Sequence, residues 1–141
     1  MKECRLSTEG EEFLRQWYGE IDGKKPFSEI SGKTVGRDLI VDFPGNPLDF
    51  SGFQEWYESQ CLNYTGKHEI HTVKVTGNEE KMEIFSEITW NAADKEGKMV
   101  TLYPNVTLKL RQENGWKVYY YGCRDRQSTV DFMRRERNKH E

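Results

Sequence analysis

The second half of this chain is written in the two-residue period of β-strands, and the first half is not. From His68 onward apolar and polar residues alternate, broken at intervals by turn residues. Residues 68–76 place Glu69, His71, Val73 and Val75 on one face and His68, Ile70, Thr72 and Lys74 on the other. Residues 82–91 align Met82, Ile84, Ser86, Ile88 and Trp90. Residues 99–111 read as one long strand with Leu102, Val106, Leu108 and Leu110 in phase. Glu113-Asn114-Gly115 signals a hairpin into a last strand over 116–123. Before His68 the period is helical. Phe13, Leu14, Trp17, Tyr18 and Ile21 predict a helix over 8–22, opened by a Thr8/Glu11 capping box and closed by Asp22-Gly23. Pro26 opens a short helical turn, and residues 38–43 read as a strand ended by Pro44-Gly45-Asn46-Pro47. A second helix starts at Ser51, buries Phe53, Trp56, Tyr57, Gln60, Cys61 and Tyr64, and stops at Gly66. Helices first and strands later predict an α+β domain with an antiparallel sheet covered by helices on one face.

Length and composition bound the rest. The 141 residues fit a single domain, with a core over about 8–125 and residues 126–141 as a C-terminal helix or tail. Leu, Ile, Val and Phe together make up only about a fifth of the chain, near the composition of disordered proteins. Seven Phe, seven Tyr and four Trp place it among folded domains instead. A net charge of -3 suits neither a nucleic-acid binder nor a basic membrane-surface protein. No apolar run approaches the roughly 20 residues of a membrane helix, and Met1-Lys2-Glu3-Cys4-Arg5 carries no apolar leader. Cys4, Cys61 and Cys123 are odd in number and widely spaced, so reduced thiols and a cytoplasmic location are expected. His68, His71 and His140 have no partner at metal-ligand spacing, and no metal or other cofactor is expected. The basic run from Arg124 to Lys139 reads as a solvated tail.

The order of these elements resembles the nuclear-transport-factor-2-like superfamily, within it the SnoaL-like polyketide-cyclase and ketosteroid-isomerase group. The residues that carry the resemblance are Gly19-Glu20-Ile21-Asp22-Gly23, Val41-Asp42-Phe43-Pro44-Gly45 and the helix opening Phe50-Ser51-Gly52-Phe53-Gln54-Glu55-Trp56-Tyr57. Glu69-Ile70-His71-Thr72-Val73 and the closing hairpin from Leu108 to Val118 complete it. The resemblance implies a cone: a strongly bent, mainly antiparallel sheet wrapped around the N-terminal helices, with a small-molecule pocket at its open end. It also implies homodimers through the outer face of the sheet.

Two carboxylate and imidazole positions stand out. Asp42 ends an apolar strand, where burial would make a usable general base, and the resemblance places a proton-abstracting Asp there. The other reading is a cap for the Gly45-Asn46 turn. His71 shares a face with Val73 and Val75; on a concave face its imidazole would serve acid–base work, and otherwise it is an edge or core histidine. His68, at the start of the strand, is the weaker candidate. The resemblance implies an oxyanion-stabilising Tyr in the first helix and an acid on the strand near 101–107. Here Glu12 and Phe13 occupy the first position and Asn105 is nearest the second, so that pair is incomplete. Asp125 lies near an acid–base Asp of some polyketide-cyclase relatives. Trp17, Trp56, Trp90, Tyr103, Tyr119 and Tyr121 are the candidate pocket rings, two or three facing a ligand and the rest packing the core. Two functions follow: a binding domain for a small hydrophobic molecule, or a cofactor-independent isomerase, cyclase or dehydratase with Asp42 as base.

Overall fold

The computed structural model describes residues 2–124, with side chains from Arg5 onward. Asp125, the expected C-terminal helix or tail and His140 lie outside the described residues, as does the side chain of Cys4.

Helix α1 (Lys2–Asp22) runs through the Thr8/Glu11 box rather than starting there. It ends where predicted. Gly23 donates back to Gly19 O at 3.0 Å, and Lys24 takes φ +56°, closing the helix. Helix α2 (Phe27–Ser31) follows Pro26. Strand β1 (Ile40–Phe43) and strand β2 (Asn46–Leu48) form a short hairpin with Gly45 at φ +69°. Helix α3 (Phe50–Ser59) is capped by the Asp49 carboxylate, which accepts the Gly52 N–H at 2.7 Å. It does not reach Gly66. A 3-10 turn over Cys61–Asn63 ends it, and Gly66 lies inside a strand.

The remaining strands are β3 (Thr65–Gly77), β4 (Lys81–Ala93), β5 (Met99–Leu102), β6 (Asn105–Gln112) and β7 (Trp116–Arg124). They form a mixed sheet in the order β2-β1-β7-β6-β4-β3, with β5 paired to β4 and β1 parallel to β7. The expected single strand over 99–111 is two. Tyr103-Pro104 interrupts it, because proline has no N–H for a ladder. The Pro104 carbonyl instead accepts the Ile88 N–H at 3.0 Å. Strand β4 therefore pairs with β6 over its first half and β5 over its second.

Two bulges set which side chains point inward. In β3 the register slips between Ile70 and Thr72. His68 and Ile70 face in before the slip, Val73 and Val75 after it. Buried Ser86 holds the bulge by donating to Thr72 O at 2.6 Å, and Glu87 N–H donates to Thr72 Oγ1. In β7 the slip leaves Tyr119 unopposed, so Val118 and Tyr121 face in while Tyr120 faces out.

Helix α1 lies against β3 and buries Leu14, Trp17, Tyr18 and Ile21 on the concave face. Gly10 lets it approach, since a Cβ there would meet Val75 at 2.6 Å. Trp17 stacks between Phe13 and Phe53 and meets Tyr121 edge-on at 5.4 Å. A smaller cluster of Tyr64, Ala92 and Leu102 lies apart from this core. No helix among the described residues is long and apolar enough to cross a membrane.

Candidate functional site

A cavity of about 80 Å³ opens between the main core and the smaller cluster. Helix α1 contributes Tyr18, Ile21 and Asp22, and the end of α3 contributes Trp56, Gln60 and Cys61. The sheet adds His68, Trp90, Tyr121 and Cys123, and Tyr64, Leu102 and Pro104 complete the lining.

Asp22 and His68 form its polar centre. Asp22 Oδ1 lies 2.6 Å from His68 Nδ1, and Oδ2 accepts the His68 backbone N–H at 2.8 Å. The carboxylate takes two donors from one residue, which fixes both the strand and the ring. An acceptor at Nδ1 places the ring proton there and leaves Nε2 as the basic nitrogen. The imidazole stacks on Tyr18 at 4.1 Å and faces Trp90 at 6.0 Å, so it cannot rotate freely.

Beside the dyad, the Tyr18 and Tyr121 hydroxyls share one hydrogen bond of 2.9 Å. Burial, the first cause, raises both phenol pKa values well above the usual range; the neighbours of Tyr18 add to this, while for Tyr121 the hydrogen bond with Tyr18 works against it. Both phenols stay protonated. The pair holds two hydroxyl protons and spends one on itself, leaving one for an acceptor in the cavity. Burial pushes the Cys61 thiol up to about 12, so it lines the pocket as an inert group rather than a nucleophile. No three metal-ligating side chains cluster among the described residues.

The expected site residues separate. Trp56, Trp90 and Tyr121 line the cavity, whereas Trp17 is core. Tyr103 is exposed beside Pro104, Asn105 faces outward at the start of β6, and Tyr119 sits on the bulge beneath Arg111. The pairing of Asp42 with His71 in one cavity does not occur. Asp42 lies between buried Val41 and Phe43, so it faces the convex side, where it accepts the Tyr120 hydroxyl at 2.9 Å. His71 is exposed and bonds Thr89 at 2.7 Å. The bulge in β3 breaks the alternation that had joined it to Val73 and Val75. Sequence reasoning passed over Asp22 as a helix terminator, yet Tyr18 and Asp22 stand four residues apart and so share a helix face.

No protein-family model and no curated protein matches the sequence. Solved structures do match in fold. A nuclear-transport-factor-2-like superfamily protein from Salmonella enterica superposes with a TM-score of 0.75 at 11% identity, over 86% of this chain and 91% of its own. A proposed aromatic ring hydroxylase from Novosphingobium aromaticivorans gives 0.72 at 20% identity, over 84% and 86%. A proposed scytalone dehydratase from the same organism gives 0.72 at 14% identity, over 86% and 83%.

Proposed function

We propose that this chain, which has the nuclear-transport-factor-2-like fold, binds a small oxygenated ring compound in its cone and moves a proton on it without a cofactor. The observation that carries the reading is the Asp22–His68 pair held inside an aromatic cavity. His68 Nε2 takes a proton from carbon beside a carbonyl, and Asp22 stabilises the imidazolium that forms. The free hydroxyl proton of the Tyr18–Tyr121 pair donates to the carbonyl oxygen, where negative charge develops. Returning the proton to another carbon isomerises the compound. Delivering it to a departing hydroxyl instead releases water. The dehydratase description of the Novosphingobium protein supports the second outcome for this fold.

Size narrows the ligand. A cavity of about 80 Å³ is smaller than the ~150 Å³ that holds benzene in an engineered core. The cavity therefore favours a single ring over a fused-ring compound such as a steroid. The role first assigned to Asp42 and His71 passes to His68, because neither of those lines the cavity.

The test is hydrogen–deuterium exchange at the α-carbon of cyclohexanone, followed by NMR. Wild type should exceed the buffer rate, and His68→Gln should remove about 10²-fold or more of that excess. Asp22→Asn should lose much of it, while Asp42→Asn and His71→Gln leave it unchanged. A wild-type rate no faster than His68→Gln would sink the proposal.

We also propose that two copies pair through the convex face. Phe85 is 38% exposed on β4 in register with Thr107, which faces Gly122. The Tyr120 ring lies over Gly122, where a Cβ would meet it at 2.7 Å, and completes an apolar strip across the strands.

A further inference from the structure

We infer that Gln60 is a specificity-determining residue whose side-chain amide receives a hydroxyl group on the ligand, so that the pocket selects rings with a second oxygen. The inference rests on the proposed binding of a ring compound in the same pocket.

Gln60 ends α3, lines the cavity and is 8% exposed. Its backbone is satisfied: the N–H donates to Trp56 O at 2.8 Å, and the carbonyl accepts from Asn63 N–H at 3.0 Å. Its side-chain oxygen is not. Oε1 is sealed from solvent without a hydrogen-bond partner. Among the described residues only Trp17 Nε1 and Glu20 Oε2 share that state. Trp17 is packed in the core and Glu20 is held by Lys33, so Gln60 alone of the three lines the cavity.

An orphaned amide on an aromatic helix face is costly, and Leu or Met would fill the same space without the cost. A ligand hydroxyl removes it. Oε1 needs a donor, which a carbonyl, ether or halide cannot supply, whereas a hydroxyl donates to Oε1 or accepts from Nε2. Gln60 belongs to the wall built by α3, while Asp22 and His68 belong to α1 and β3. The ligand thus carries one oxygen for the tyrosine pair and His68 and a hydroxyl for Gln60. A site that hydrogen-bonds a substrate hydroxyl rejects the analogue lacking it.

The test titrates phenol, catechol, resorcinol and hydroquinone into wild type, Gln60→Met and Gln60→Leu by calorimetry. Wild type should bind at least one diol about tenfold more tightly than phenol. Both variants should lose that preference and bind phenol at least as well as wild type. Their Tm should rise by about 2–4 °C, since an orphaned polar group has gone. Phenol binding without diol preference, or a preference that survives in both variants, overturns the inference and leaves proton transfer standing. A lower Tm in both variants marks the amide as structural and also overturns it. Failure of every phenol to bind wild type overturns the pocket reading along with it. Diol preference without cyclohexanone exchange removes proton transfer and supports the recognition role.

Discussion

Tyr18 and Tyr121 share a hydrogen bond in a place where neither can afford to ionise. Desolvation holds both phenols protonated far above their ordinary 10.0, and it moves the Cys61 thiol from 9.0 to about 12. The unfolded chain has no such restraint. Below about pH 9 both states keep these protons, and the stability they confer is fully present. Above pH 9 to 10 the unfolded chain releases protons the folded one retains, so stability falls as pH rises. Thermal melts from pH 8 to 11 should show that decline, and Tyr121→Phe should make it shallower. The same variant should cost about 1–2 kcal/mol at neutral pH, because Tyr18 loses its partner. Identity and spacing made part of this legible. Tyr18 and Asp22 stand one helical turn apart, and Trp56, Trp90 and Tyr121 were named as pocket rings. The choice of His71 over His68 could not be corrected from alternation, because one extra residue in β3 reverses the face of everything beyond it.

At the scale of elements, bulges and breaks decide the site. Most of the order of helices and strands was legible from hydrophobic period and turn residues, but β2 lies where a turn was expected. Pro104 marks the break between β5 and β6, which the shared phase of Leu102 and Val106 conceals. The bulges had fainter signals, chiefly buried Ser86, which exists to satisfy the Thr72 carbonyl. Gly66 looked like a helix stop and is a contact point. A Cβ there would lie 2.2 Å from Asn91 O and 2.5 Å from Ala92 Cβ. The backbone atoms cannot swing aside as a side chain would. Gly66→Ala should therefore force β3 from β4 beside the cavity, lower stability by about 1–3 kcal/mol and weaken phenol binding. Chemical denaturation and calorimetry on one preparation would check both.

For the molecule as a whole, the concave face holds the rings and the convex face holds a polar surface crossed by Phe85 and Tyr120. That division explains how a chain with few aliphatic residues folds: one side of one sheet needs a core. If two copies meet on the convex side, Phe85→Glu should yield monomers with the secondary structure intact, read by sedimentation velocity and circular dichroism. A wild type that is monomeric at every concentration would end that idea.

The smaller cluster of Tyr64, Ala92 and Leu102 has one last consequence. Ala92 is held on one side by Gly66 of β3 and on the other by β5, which pairs with β4 along four residues. Leu102 can therefore open with β5, which pairs with β4 alone, at a free energy below that of global unfolding. An entrant to the narrow cavity waits only for that local opening, while His68, held on β3 and bonded to Asp22 of α1, stays in place.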